Sequence, residues 1–239
     1  MVYKMRWIVS VFLSLTSLHL QAAVSLDRTR VIYPGGAKSI SLTIHNNNNS
    51  LPYLAQAWLE DEKGNKVNSP FTILPPLQRL EPGMESLFKV QALPEVARLP
   101  QDRESLLYFN MREIPPRSNT PNTLQLALQT RIKFFYRPAS LLVAGASHKT
   151  PWQNGVEVSK QGGKTRLDNP TPYYISLVEA VVDGKVVGTF EPVMLAPHGS
   201  ATLSFDMGAR PSLTYIDDYG GRKQLHYRCA NSCRLQQIK

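Results

Sequence analysis

Side chains that could perform acid–base or metal chemistry are present in this sequence, but they stand apart from one another. The acidic pairs Asp61-Glu62 and Asp217-Asp218 lie beside turn residues, where solvated side chains are the usual outcome. No nucleotide-binding loop, zinc signature or nucleophile elbow is present. The sequence therefore predicts a protein that is not an enzyme and binds no cofactor or metal. The histidines beyond residue 22, which lack metal-ligand spacing, are His45, His148, His198 and His226.

The two cysteines, Cys229 and Cys233, lie close together near the C-terminus. In an exported protein an even number of cysteines favours a disulfide. The alternatives are half of a metal site or a redox pair. The spacing is not CxxC, no second cysteine pair exists, and only His226 lies nearby. We therefore predict a structural disulfide that closes a local hairpin.

The N-terminus has the pattern of a secretory signal peptide. Lys4 and Arg6 precede an apolar run over residues 7–20, and the small residues Ala22 and Ala23 end it. The run is short for a membrane span of about 20 residues. We predict that residues 1–22 are removed and that the mature chain lies outside the cytoplasm.

The charge is basic but dispersed. Subtracting Lys4 and Arg6 from the formal charge of +9 leaves +7, and the remaining cations form no dense run. No nucleic-acid motif accompanies them, so we expect no nucleic-acid partner; anionic groups on another protein are compatible with this charge.

The mature sequence is typical of an all-β protein. Polar and apolar residues alternate within short segments, and turn signals recur about every ten residues, as in β-sandwiches. The predicted strands are residues 39–45, 53–59, 71–74, 86–90, 106–111, 123–136, 173–182, 186–190, 201–205, 213–216 and 224–229.

The segment at residues 123–136 (TLQLALQTRIKFFY) is long for a strand. It is interpretable as one core strand, but a long apolar strand at a sheet edge invites pairing with another protein. Arg137-Pro138 follows and predicts a domain boundary, because proline ends a strand. We predict an N-terminal domain over residues 23–137 and a C-terminal domain over residues 138–239.

Specific strings resemble the PapD-like periplasmic pilus chaperones over essentially the whole mature chain. The most specific is YFNMREIPP, which leads into the long alternating segment. The strings are residues 23–30 (AVSLDRTR), 51–58 (LPYLAQAW), 78–83 (QRLEPG), 99–116 (LPQDRESLLYFNMREIPP), 124–137, 169–174 (NPTPYY) and 215–221 (YIDDYGG).

This resemblance implies two immunoglobulin-like sandwiches at an angle, with a cleft between them. It implies a chaperone that lends a strand to pilus subunits and delivers them to an outer-membrane usher, without ATP. Arg30 and Lys133 match the positions that hold the subunit's C-terminal carboxylate. The donor-strand positions are Leu124, Leu126 and Leu128, and a buried interdomain charge cluster matches Glu104, Arg137 and Asp218.

Two details of the resemblance bear on geometry. The loop at residues 117–122 is short, which resembles the branch of the family that serves rod-type pili. Lys133 faces away from the three leucines by strict alternation, so we expect twist or a bulge to bring it into the cleft.

Three other functions are compatible with parts of this sequence. A pilus subunit or adhesin should show one incomplete sandwich and a donor extension, whereas this chain is expected to have two complete sandwiches. An exported enzyme or sugar-binding protein would need a convergent polar site, because fold does not dictate function. The sequence is also compatible with a chaperone whose pilus operon has been lost. The exposed donor edge also predicts self-association of the free protein.

Overall fold

The computed structural model describes residues 22–119, 121–142, 151–230 and 232–236. The predicted signal peptide lies outside the described residues except for Ala22. No helix among the described residues is long and apolar enough to cross a membrane. Short 3-10 helices lie at Pro94–Arg98, Ala139–Leu141 and Trp152–Gly155.

The N-terminal part of the chain is built from short strands. They are β1 (Val24–Leu26), β2 (Arg30–Pro34), β3 (Ser39–Asn46), β4 (Tyr53–Glu60), β5 (Lys66–Val67), β6 (Phe71–Leu74), β7 (Leu77–Leu80), β8 (Glu85–Ala92), β9 (Ser105–Ile114) and β10 (Gln129–Arg137). One sheet has the order β1-β3-β8-β6. The facing sheet has the order β2-β10-β9-β4-β5, with β7 also paired to β4.

Alternation along β10 gives this sheet two different faces. Phe134 is fully buried and packs with Tyr33 and Phe71, with ring centroids 5.8 and 5.1 Å away. These aromatic side chains belong to the core between the two sheets. The intervening residues of β10, Lys133 and Phe135 among them, are on the opposite face, since successive side chains of a strand alternate. That face is directed at the C-terminal domain.

The C-terminal part of the chain forms a second sandwich. Its strands are β11 (Glu157–Gln161), β12 (Lys164–Asp168), β13 (Ile175–Val182), β14 (Lys185–Val186), β15 (Val193–Leu195), β16 (Ser200–Leu203), β17 (Pro211–Ile216), β18 (Arg222–Cys229) and β19 (Cys233–Gln236). The sheets have the orders β11-β12-β16 and β14-β13-β17-β18-β19, with β15 also paired to β13. A separate apolar core fills this domain.

The fold class predicted from the sequence is confirmed: the chain is all-β, with two immunoglobulin-like sandwiches set about a cleft. The predicted disulfide joins Cys229 to Cys233 and closes the β18–β19 hairpin. Two predicted elements are wrong in extent. The strand expected at residues 186–190 is present only as Lys185–Val186, and residues 187–190 form no strand. The strand expected at residues 123–136 begins only at Gln129, and residues 123–128 form no regular strand.

The two domains contact each other directly. The backbone N–H of Glu104 donates to Pro172 O at 2.9 Å, and the rings of Phe135 and Tyr174 lie 5.5 Å apart. At a third contact the backbone of Gly220 lies so close to Thr29 that a Cβ there would collide with the Thr29 hydroxyl. These contacts hold the cleft-facing side of β10 against the C-terminal domain.

Candidate functional site in the interdomain cleft

Arg30 and Lys133 lie side by side in the cleft. Strands β2 and β10 pair in parallel, and their register places Lys133 opposite Arg30. Arg30 donates from Nη1 to the carbonyl of Ile216 at 3.3 Å, and Lys133 Nζ donates to Ser176 Oγ at 2.7 Å. Both acceptors belong to the C-terminal domain, so each cation reaches across the cleft.

This pair of cations is partly buried, and no carboxylate among the described residues lies within ion-pair distance of either side chain. Within the described residues neither side chain forms an ion pair, and Arg30 Nε is buried with no hydrogen-bond partner. Burial lowers the pKa of Lys133, and the neighbouring charge of Arg30 lowers it further. Burial also lowers the pKa of Arg30, an effect that the charges of Asp218 and Asp217 partly offset. A bound carboxylate would satisfy the free N–H donor and neutralise the repulsion between the two cations.

The three predicted donor leucines lie on the surface of the free chain. Their exposed fractions are 82% for Leu124, 56% for Leu126 and 42% for Leu128. The segment that carries them, residues 124–128, is called the donor segment below. Its last residue accepts a backbone hydrogen bond from Glu113 at 3.0 Å, and there the regular pairing of β9 with β10 begins.

We expected twist or a bulge to bring Lys133 into the cleft, and of these two the bulge is absent. Strands β9 and β10 pair without a register shift from Gln129↔Arg112 to Tyr136↔Ser105. Lys133 enters the cleft by ordinary alternation, because the cleft lies on the face of β10 opposite the N-terminal core. Lys133 and the leucines alternate along the chain, and no bulge is needed to place Lys133 in the cleft.

Glu104, Arg137 and Asp218 come together between the domains. Arg137 Nε donates to Glu104 Oε1 at 2.8 Å, while its Nη1 and Nη2 donate to Asp218 at 2.7 and 3.1 Å. The free oxygen of Glu104 accepts the backbone N–H of Tyr174 at 2.8 Å. The guanidinium also lies 4.8 Å from the ring of Trp152.

Burial is the largest single influence on the pKa values of Glu104 and Arg137. It raises the pKa of the Glu104 carboxyl, an effect that the charge of Arg137 partly offsets. The hydrogen bonds and charges of Asp218 and Glu104 raise the pKa of Arg137 despite its burial. The cluster therefore holds an ionised arginine whose five donors are largely used by two carboxylates from different parts of the chain.

Sequence reasoning missed the groups that the C-terminal domain contributes to the cleft. Ser176, which is 4% exposed, and the Ile216 carbonyl complete the hydrogen bonds of Lys133 and Arg30. The strings NPTPYY and YIDDYGG marked these regions but assigned no role to either group. A carbonyl leaves no side-chain signal, and one serine in an apolar strand is not distinctive.

No group of three or more histidine, cysteine or acidic side chains in the described parts of the chain could hold a metal ion. The two cations and the unpaired N–H donor of the cleft are groups that can bind an anion.

Comparison with known proteins identifies both domains. Residues 23–142 match the N-terminal domain of the PapD pili and flagellar-assembly chaperones, and residues 151–227 match the C-terminal domain of the PapD pili assembly chaperones. The chain is 48% identical to the probable fimbrial chaperone YfcS of Escherichia coli K12, over 95% of this chain and 92% of that protein. It is 47% identical to the chaperone protein PapD of Escherichia coli, covering 91% and 92% of the two chains.

Solved structures agree with this assignment. The periplasmic chaperone SfaE superposes with a TM-score of 0.70 at 32% identity, over 85% of this chain and 98% of that one. The SafB chaperone structure, solved in complex with the Salmonella enterica SafA pilin, superposes with a TM-score of 0.71 at 28% identity, covering 87% and 97%. Matches to both family domains, with relatives near half identity over nine-tenths of the chain, show that this protein belongs to the PapD-like family of pilus-assembly chaperones.

Proposed function

We propose that this chain binds a newly exported pilus subunit in the periplasm, completes the subunit's sandwich with its donor segment, and passes the subunit to an outer-membrane usher. The observation that carries the proposal is an exposed leucine segment continuous with a strand that presents an unneutralised cation in the cleft. No step requires ATP, because the subunit's own folding and strand exchange provide the driving force.

The donor segment has the chemistry of an added strand. Main-chain N–H and C=O groups bind the partner's sheet edge, while alternate side chains enter its groove. Leu124, Leu126 and Leu128 share one parity, so all three would enter the same groove. Burial of three leucines stabilises the complex by about 5–9 kcal/mol before ordering costs are subtracted.

The cleft cations fit the C-terminal carboxylate of the subunit. Each charge-assisted hydrogen bond contributes about 1.5–3 kcal/mol net. Since side-chain parity alone allows a strand to slip by two residues, a fixed terminus also sets the register of pairing. Arg30 and Lys133 would thus determine which subunit residues meet the leucines.

Release follows from the same geometry. A strand lent by the chaperone can be replaced by an extension from the next subunit, which fills the same groove and leaves the chaperone free. The cluster of Glu104, Arg137 and Asp218 would serve this cycle by holding the two domains in the orientation that forms the cleft.

The test is co-purification from the periplasm with and without a co-expressed pilin. We expect the wild type to recover a stoichiometric complex, and Arg30→Ala and Lys133→Ala to fold normally but lose the pilin. Matched controls are Arg28→Ala and Lys160→Ala, which remove cations already paired with Asp27 and Asp206 and should retain it.

Two results would oppose the proposal in different ways. If folded Arg30→Ala and Lys133→Ala hold pilin as tightly as the controls do, the anchor assignment is wrong while the chaperone assignment stands. If even the wild type captures no pilin, the protein is a chaperone without a subunit partner or acts on another substrate.

A further inference from the structure

Glu113 is a carboxylate on the core side of its sheet. The odd-numbered residues of β9 face the apolar interior, where Phe109 and Met111 are 0% and 1% exposed. Glu113 continues this face and is 5% exposed, opposite Ala55 of β4. A buried carboxylate is expensive unless hydrogen bonds and a positive charge compensate it.

The described residues supply the hydrogen bond but not the charge. The backbone N–H of Val24 donates to Glu113 Oε2 at 2.7 Å. Within the described part of the chain no lysine, arginine or histidine forms an ion pair with this carboxylate, unlike Glu104, which is paired to Arg137. The cluster between the domains thus has its cation, whereas Glu113 has none.

The missing charge is one residue away along the chain. Successive backbone nitrogens are at most about 3.6 Å apart, so the nitrogen of Ala23 lies within about 6.5 Å of the Glu113 oxygen. The residue is fixed there, because Asn47 donates its backbone N–H to the Ala23 carbonyl at 2.6 Å. Cleavage after Ala22, predicted from the sequence, converts the Ala23 nitrogen from a neutral amide into an α-ammonium group.

We propose that Glu113 is a binding site for the α-ammonium group of the mature chain, so that signal-peptide removal supplies the counter-charge of a buried carboxylate. The precursor has only a neutral amide at this position. The mature chain gains an ion pair between β9 and the start of β1, which belong to opposite sheets of the N-terminal sandwich.

The site also lies at the base of the donor segment. The backbone N–H of the same Glu113 donates to Leu128 O at 3.0 Å. One residue therefore connects the processed N-terminus, through its carboxylate, with the point where the donor segment leaves the sheet. This inference concerns the free chaperone and holds or fails independently of pilin binding.

The test is a double-mutant cycle between the N-terminal charge and Glu113. The chain is produced behind a fusion partner that a protease removes. Cleavage leaves either Ala23 as the first residue or a Gly-Ser extension before Ala23. Both forms are made with the wild-type sequence and with Glu113→Gln. Glutamine keeps an acceptor for Val24 N–H and removes the charge, while an amide NH2 replaces the second oxygen. We expect the extension to raise the unfolding equilibrium constant in urea about tenfold in the wild type and less than twofold in Glu113→Gln.

Equal effects of the extension in both backgrounds would overturn the proposal. So would mass spectrometry of periplasmic protein showing a first residue other than Ala23. If Glu113→Gln does not fold, hydrogen exchange of β1 in the wild type decides the matter. Faster exchange in the extended chain supports the ion pair, and unchanged exchange contradicts it.

Discussion

Replacement of Arg137 by methionine should destabilise the protein strongly. The change removes three charge-assisted hydrogen bonds, to Glu104 and Asp218, and keeps a long apolar side chain. Glu104 is 3% exposed and would be left without a cation in the interface. Removing one partner of a buried ion pair costs about 3–5 kcal/mol, chiefly because the remaining charge stays buried.

The magnitude depends on which carboxylate can regain water. The side chain of Asp218 is 25% exposed and can be hydrated after the substitution, whereas that of Glu104 is 2% exposed and cannot. We therefore expect a loss near the lower end of the range, about 3 kcal/mol at pH 7, that arises mainly from Glu104. Glu104→Gln in the Arg137→Met background should recover much of it.

The loss of stability caused by Arg137→Met should also depend on pH. Burial already raises the pKa of Glu104, and loss of Arg137 removes the charge that opposes this shift. A carboxyl whose pKa is higher in the folded state binds more protons when folded. It thus contributes stability below its unfolded pKa that is lost as the pH rises through the folded value. The deficit of Arg137→Met should shrink as the pH falls from 7 to 5.

Urea unfolding of the four proteins in this cycle, at pH 7 and pH 5, measures both effects. Arg166→Met is the matched control, since its ion pair with Asp168 is on the surface and its loss should change stability little. A cost below about 1 kcal/mol at pH 7 would refute the reasoning. An equal cost of Glu104→Gln in both backgrounds would also refute it, because it would mean that the two charges are not coupled.

Two further predictions concern the exposed leucines and the hairpin. The free chaperone should self-associate through its donor segment, and Leu126→Asn should shift sedimentation toward monomer and weaken pilin capture. A wild type that sediments as a strict monomer at high concentration contradicts this. Serine at both Cys229 and Cys233 should cost about 2 kcal/mol, the loop-closure value for so short a loop, and lower the thermal midpoint. An unchanged midpoint would show that the hairpin needs no crosslink.

Much of the fold was predictable because alternation is a local signal. Strand β6 coincides with the predicted residues 71–74, and β3, β4 and β13 differ from their predictions by at most two residues at an end. Short strands of two to five residues were not predicted, since they give too little pattern to recognise. They are β1, β2, β5, β7, β11, β12, β15 and β19.

The donor segment shows where local pattern is insufficient. Residues 123–136 alternate without interruption, yet regular pairing extends only from Gln129. Hydrophobic alternation predicts that a segment can pair as a strand, but a neighbouring edge must be available for it to do so. Within this chain β9 accompanies β10 as far as Gln129, and the leucines beyond it remain exposed. We propose that pairing with a partner outside the chain accounts for the alternation at residues 124–128.

The cations between the two domains also differ in whether the described residues neutralise them. Arg137 is satisfied within the protein, since two carboxylates surround it and its hydrogen bonds join the domains. Arg30 and Lys133 are partly buried, and among the described residues their hydrogen bonds go to a carbonyl and a hydroxyl. Partial burial of two neighbouring cations is unfavourable unless an anion compensates their charge. We propose that these cations and the exposed leucines bind the same ligand, a chain terminus that ends in a carboxylate.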